Sequence, residues 1–216
     1  MTGFDADRFD KLVAQRAPKD PDPFDPADNG ALEHLLVHSF MLYDAPVRGD
    51  ADRACKKLLA AFVDLNELRV ARVDEISSAL GARYPKSEER AESLRRTLND
   101  LFDREHVVSL TPVLEKNKRD AKQYLASLAG CPPYVASRLL LLGFGGHAAP
   151  LDSLLHERLT AAKVFDDTVD FDRAASILER HVKAAEAVTT HHALEALRDS
   201  DAKPSRSRPA KAGKRS

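Results

Sequence analysis

Residues 121–158, AKQYLASLAGCPPYVASRLLLLGFGGHAAPLDSLLHER, constrain the fold more than any other stretch of the chain. They read as a helix over 121–128, a tight turn at Ala129-Gly130-Cys131-Pro132, and a second helix opened by Pro133. Proline suits a first helical position, where its missing N–H would have had no partner. The second helix, Tyr134 to Leu142, is almost wholly apolar, which places it in the middle of a core. Gly143, Gly145 and Gly146 break it, and Pro150-Leu151-Asp152-Ser153 opens the next helix.

The rest of the chain supports an all-α reading. From Ala31, apolar residues Leu32, Leu35, Leu36, Phe40 and Tyr43 recur at helical spacing. Pro46 and Gly49 end that helix, and Asp50 is expected to cap the next, which turns Leu58, Leu59 and Phe62 inward. Gly81 stands just past Leu80, where a left-handed C-terminal residue belongs. Ser87 is expected to cap a helix that buries Ala91, Leu94, Leu98 and Leu101. Asp170 or Asp172 starts a later helix, and a final one covers 189–198. Only Val107 to Leu110 hints at strand alternation, and no repeat of solenoid length is present.

Three regions follow: an Asp- and Pro-rich flexible arm over 1–29, a helical domain over 30–199, and a basic disordered tail over 200–216. Within it, residues 203–216 carry Lys203, Arg206, Arg208, Lys211, Lys214 and Arg215 and no acid. The net charge of the whole chain is −1, so residues 1–202 carry −7. An acidic body disfavours non-specific phosphate binding, which relies on Lys and Arg displacing counterions. No apolar run approaches the length of a membrane span, and residues 1–5 lack a secretory pattern. The two cysteines, Cys55 and Cys131, are far apart and suit a reducing cytoplasm as small buried hydrophobes. His147, His156, His191 and His192 lack the spacing of a zinc site and are read as helix-face or core histidines. No metal is therefore expected.

Two stretches in order resemble the helix-hairpin-helix DNA glycosylase superfamily typified by endonuclease III. Leu128-Ala129-Gly130-Cys131-Pro132-Pro133-Tyr134-Val135-Ala136 is similar to its L-P-G-V-G-x-K-T-A hairpin, and Leu151-Asp152-Ser153-Leu154 to its V-D-T-H turn. Upstream, Tyr84, Ser87, Arg90, Ala91 and Leu94 match a family helix, and Thr190-His191-His192 resembles its C-H-H stretch. The resemblance covers about residues 31–198. It implies a two-lobed all-α fold with a cleft, one lobe mainly from 50–142 and the other from 31–49 with 143–198.

The same resemblance implies a monomer that acts on double-stranded DNA in base-excision repair, in the cytoplasm and with the nucleoid. Asp152 matches the carboxylate that stabilises the oxocarbenium-like sugar as a flipped, damaged base leaves. An Asp preceding a helix is equally an ordinary N-cap. Tyr134 stands where bifunctional members place a Schiff-base lysine, so the chemistry implied is hydrolysis without strand cleavage. Tyr134 either stacks on the extruded base or packs in the core. Gly130 and Cys131 would hold DNA phosphate through backbone N–H groups, with Ser137, Arg138, Lys118 and Arg119 alongside. Pro132 and Pro133 remove two donors there. The iron–sulfur cysteines have no match, so no cofactor is expected. Asp44-Ala45-Pro46 stands where the family places the glutamine that wedges into the duplex. The rival readings are a lesion-sensing homologue without catalysis and a helical protein-interaction module.

Overall fold

The computed structural model describes residues 3–18, 28, 30–81 and 83–199. The expected basic tail over 200–216 lies outside the described residues. Eleven α-helices appear among the described residues, and Phe4 and Phe165 form an isolated antiparallel bridge with no strand around it. No helix of the described residues is long and apolar enough to cross a membrane.

The helices form two lobes joined by α2 (Ala31–Leu42), whose residues Leu35 to Leu42 are all buried. The first lobe contains α3 (Arg48–Ala61), α4 (Leu65–Val70), α5 (Val73–Leu80), α6 (Ser87–Glu105), α7 (Lys118–Ser127) and α8 (Pro133–Arg138). In the second, α11 (Ala187–Asp199) packs on α9 (Ser153–Ala161), and α9 on α10 (Phe171–His181). Asp152 and Asp170 each accept a backbone N–H as N-caps of α9 and α10, replacing bonds that the first helical turn lacks. Asp50 and Ser87 are not caps. Each lies inside its helix, which begins after Val47 and after Lys86 respectively.

Part of the flexible arm expected over 1–29 is helical, while residues 1–2, 19–27 and 29 lie outside the described residues. Ala6–Arg16 form α1, which docks on α11. Asp5 caps it by accepting the Arg8 N–H at 2.9 Å, and Phe9 and Leu12 are buried. Burial of Phe9 alone is worth about 2–3 kcal/mol relative to exposure, and Leu12 adds to it.

The hairpin appears where expected, with α7 running three residues further toward the N-terminus. Gly130 has φ +79°, and a Cβ there would come within 2.8 Å of both the Ser93 carbonyl oxygen and Arg96 Cβ. Only glycine fits such a turn without strain. The apolar helix after it does not run straight to Leu142. After Arg138 it widens into a π turn over Leu139–Gly143, closed by the Phe144 N–H on the Leu139 carbonyl at 3.2 Å. Gly143 there meets α2 so closely that a Cβ would stand 2.8 Å from Leu32 Cδ2.

Candidate functional site

The turn before α9 brings Asp152 between the lobes, beside the end of α2 and the last turn of α11. Its carboxylate is completely buried. Oδ1 accepts the Leu155 N–H at 2.9 Å, while Oδ2 accepts the Asp44 N–H at 2.8 Å and Arg198 Nη2 at 2.6 Å. Arg198 is equally buried and also donates to the Ala45 carbonyl at 2.9 Å. The open carboxylate at a pocket mouth, implied by the resemblance, is thus replaced by a sealed ion pair. The guanidinium fills the space beside the acid, and both carboxylate oxygens already have donors.

Asp44, at the wedge position, is turned inward as well. It adopts a left-handed conformation (φ +51°). Its Oδ1 accepts the Leu154 N–H at 3.4 Å, and Oδ2 lies 3.6 Å from Lys86 Nζ. Its side chain holds the cleft closed and does not project from it.

A second buried cluster lies one turn earlier on α11. Glu195 Oε1 receives Arg138 Nε at 3.1 Å and stands 2.9 Å from His191 Nε2. Arg138 Nη1 also donates to Ser39 Oγ at 2.8 Å. Burial opposes ionisation of Glu195, but His191, His192 and Arg138 together outweigh it and hold the carboxyl well below its usual range. Burial lowers His191 below its ordinary value, and the same effect, helped by Arg138, takes His38 down to about 4.

Two expected DNA contacts are therefore corrected. Arg138 is buried and committed to Glu195 and Ser39, so it presents no charge to solvent. Tyr134 is buried with its ring 5.7 Å from the Arg198 guanidinium and 6.0 Å from the Tyr43 ring. Its core alternative holds, and burial drives its phenol pKa upward. A base cannot stack on a face already covered by protein.

The hairpin itself is partly spent. The Ala129 N–H donates to Asp100 Oδ2 at 2.7 Å, and Cys131 N–H to the Leu128 carbonyl at 3.1 Å. The Asp100 carboxylate is itself paired with Arg104 Nη2 at 2.7 Å, so the acid ties the turn to α6. Burial pushes the Cys131 thiol up to about 12, so it is no nucleophile. Ser137 is half-buried, while Lys118 and Arg119 are exposed at the start of α7, which Asn117 caps. Lys118 Nζ stands 3.9 Å from where a Cβ on Gly145 would lie, next to the Gly-rich loop. His147 is bonded to the Val182 carbonyl and His156 to that of Val169, while the His191 and His192 rings stand 5.7 Å apart beside Glu195.

What remains open at the cleft mouth is a small cavity of about 110 Å³, lined by Phe40, Tyr43, Lys86, Glu89, Arg90, Ser93 and Pro132. Burial of Arg90 is compensated by the carbonyls of Phe40 and Pro85, which its guanidinium binds. Sequence reasoning missed Arg198 and Glu195. The available signal was two charges, Glu195 and Arg198, on the same helical face as His191 and Leu194, where apolar residues belong.

No protein-family model and no curated protein matches the sequence. Solved structures do match. A DNA-trapped endonuclease III is 13% identical over 88% of this chain and 84% of its own, with a TM-score of 0.66. A thermostable thymine-DNA glycosylase is 14% identical over 93% and 89%, with a TM-score of 0.63. The H. pylori 3-methyladenine DNA glycosylase bound to 1,N6-ethenoadenine is 12% identical over 88% and 95%, with a TM-score of 0.59. The chain has the two-lobed fold of the helix-hairpin-helix DNA glycosylases.

Proposed function

We propose that this protein binds duplex DNA in the manner of a lesion-sensing homologue and does not itself break the N-glycosidic bond. The observation that carries this is the Asp152 carboxylate, fully buried and bonded to Leu155, Asp44 and Arg198. To stabilise a sugar cation, that carboxylate would have to lie against the deoxyribose with an oxygen free. Its pairing with Arg198 neutralises it instead, and its burial excludes the sugar. Tyr134, buried at the position of the family lysine, supports the same reading, since tyrosine supplies no amine for a Schiff base. The DNA-bound endonuclease III among the structural neighbours supports duplex DNA as the partner.

A panel of duplexes, each with one damaged or mismatched base, tests the proposal with wild type and Asp152→Asn. Binding that weakens steeply with salt, without abasic product on any duplex, is the expected result. Abasic product from wild type that disappears in Asp152→Asn overturns it and restores the hydrolase reading.

A further inference from the structure

A groove of about 510 Å³ runs along the outside of the first lobe, between α3 and the turn joining α5 to α6. Arg53 and Lys57 line it from successive turns of α3, and Arg83 from the opposite wall. All three side chains are exposed. Asp50 is the groove's acid and pairs with Arg53. Among the described residues no carboxylate pairs with Lys57 or Arg83. Like charges one helical turn apart, as Arg53 and Lys57 are, repel each other unless an anion lies between them. The body of this chain is acidic, so a local excess of cation is a departure that needs a partner.

The walls suit an extended polyanion better than a small ion. Arg53, Lys57 and Arg83 stand exposed on two walls and are not gathered in a buried pocket around one phosphate. Gly81 has φ +95° and nothing within 4 Å of where its Cβ would be, which leaves one wall unobstructed. Tyr84 is fixed by its hydroxyl bond to the Met41 carbonyl and supplies a rigid aromatic side. Pro85 borders the groove, and the next residue, Lys86, lines the separate cavity beside Pro132 of the hairpin.

We infer that Arg53, Lys57 and Arg83 hold the sugar–phosphate backbone of DNA, adding to a hairpin whose Ala129 N–H is already taken by Asp100. This rests on the duplex-binding reading above. Phosphate contacts of this kind fix position and carry no base specificity. An acidic protein segment is the competing occupant.

The test is fluorescence anisotropy with a labelled undamaged duplex across a salt series. Wild type is compared with R53Q/K57Q/R83Q and with K11Q/R173Q/K183Q, which removes the same charge from the second lobe. Circular dichroism checks that each variant is folded. The groove variant should bind about tenfold or more weakly at low salt, with a log–log salt slope shallower by about 2–3. The control variant should stay close to wild type. Equal losses in both variants, or none in the groove variant, overturn the groove assignment while the duplex-binding reading stands. A wild type that does not bind the duplex overturns both.

Discussion

The buried interior of the cleft and the outer face of the first lobe put similar residue types to opposite ends. On the inner side, Asp152, Arg198, Arg138 and Glu195 are buried and matched to one another. On the outer side, Arg53, Lys57 and Arg83 are exposed with a single acid among them. A buried charge must find a partner or be neutralised, because desolvation costs several kcal/mol per ion. An exposed charge stays solvated and available to a ligand. An aspartate at the head of a helix can thus be kept while its carboxylate is taken out of reach, through one arginine on a neighbouring helix.

The inner side is the easier to break. Arg198→Ala leaves the Asp152 charge buried with backbone donors alone and should cost about 3–5 kcal/mol in urea unfolding. Arg198→Met combined with Asp152→Asn should cost less than the sum of the single changes by about 2 kcal/mol. Strict additivity would mean that the two side chains do not depend on each other.

Acid should loosen the same region. His38 is held neutral in the fold, with a value of about 4 against 6.5 for the free side chain. A lowered folded value means that the unfolded chain binds the proton first. Its contribution is intact above pH 6.5 and lost as pH falls toward 4. Between pH 7 and 4, wild type should lose on the order of 2–3 kcal/mol more stability than His38→Gln. Equal losses would show that protonation elsewhere dominates. Glu195, held well below its usual range, adds to this loss at lower pH, after its unfolded counterpart begins to protonate near 4.5.

The smallest effect should come at the hairpin. Asp100→Asn removes the carboxylate from the Ala129 N–H and should raise duplex affinity about two- to threefold, as for one charge. A rise far beyond that would return the main grip on DNA to the hairpin and sharpen the contrast differently.

Much of the architecture was legible because it depends on short-range rules. The hairpin needed glycine at a left-handed position, and Gly130 supplies it. Gly81 ends α5 with positive φ, and Asp152 and Asp170 cap their helices, as their places in the sequence implied. The first helix was hidden by its neighbours. Pro18 to Pro26 colour the whole N-terminal segment as irregular, while Asp5, Phe9 and Leu12 carry a cap and an apolar face just before them. The π turn was also hidden, since a run of leucines reads the same whether its bonds span four residues or five.

The candidate site was legible only as positions. The sequence by itself determined an all-helical chain, the hairpin, and an aspartate at the head of α9, because turns, caps and apolar periodicity act over a few residues. Only the tertiary structure decided what that aspartate is for. Its partner Arg198 lies 46 residues away and Arg138 lies 57 from Glu195. Charges that distant meet because the helices carrying them pack together, and their burial is a property of that packing.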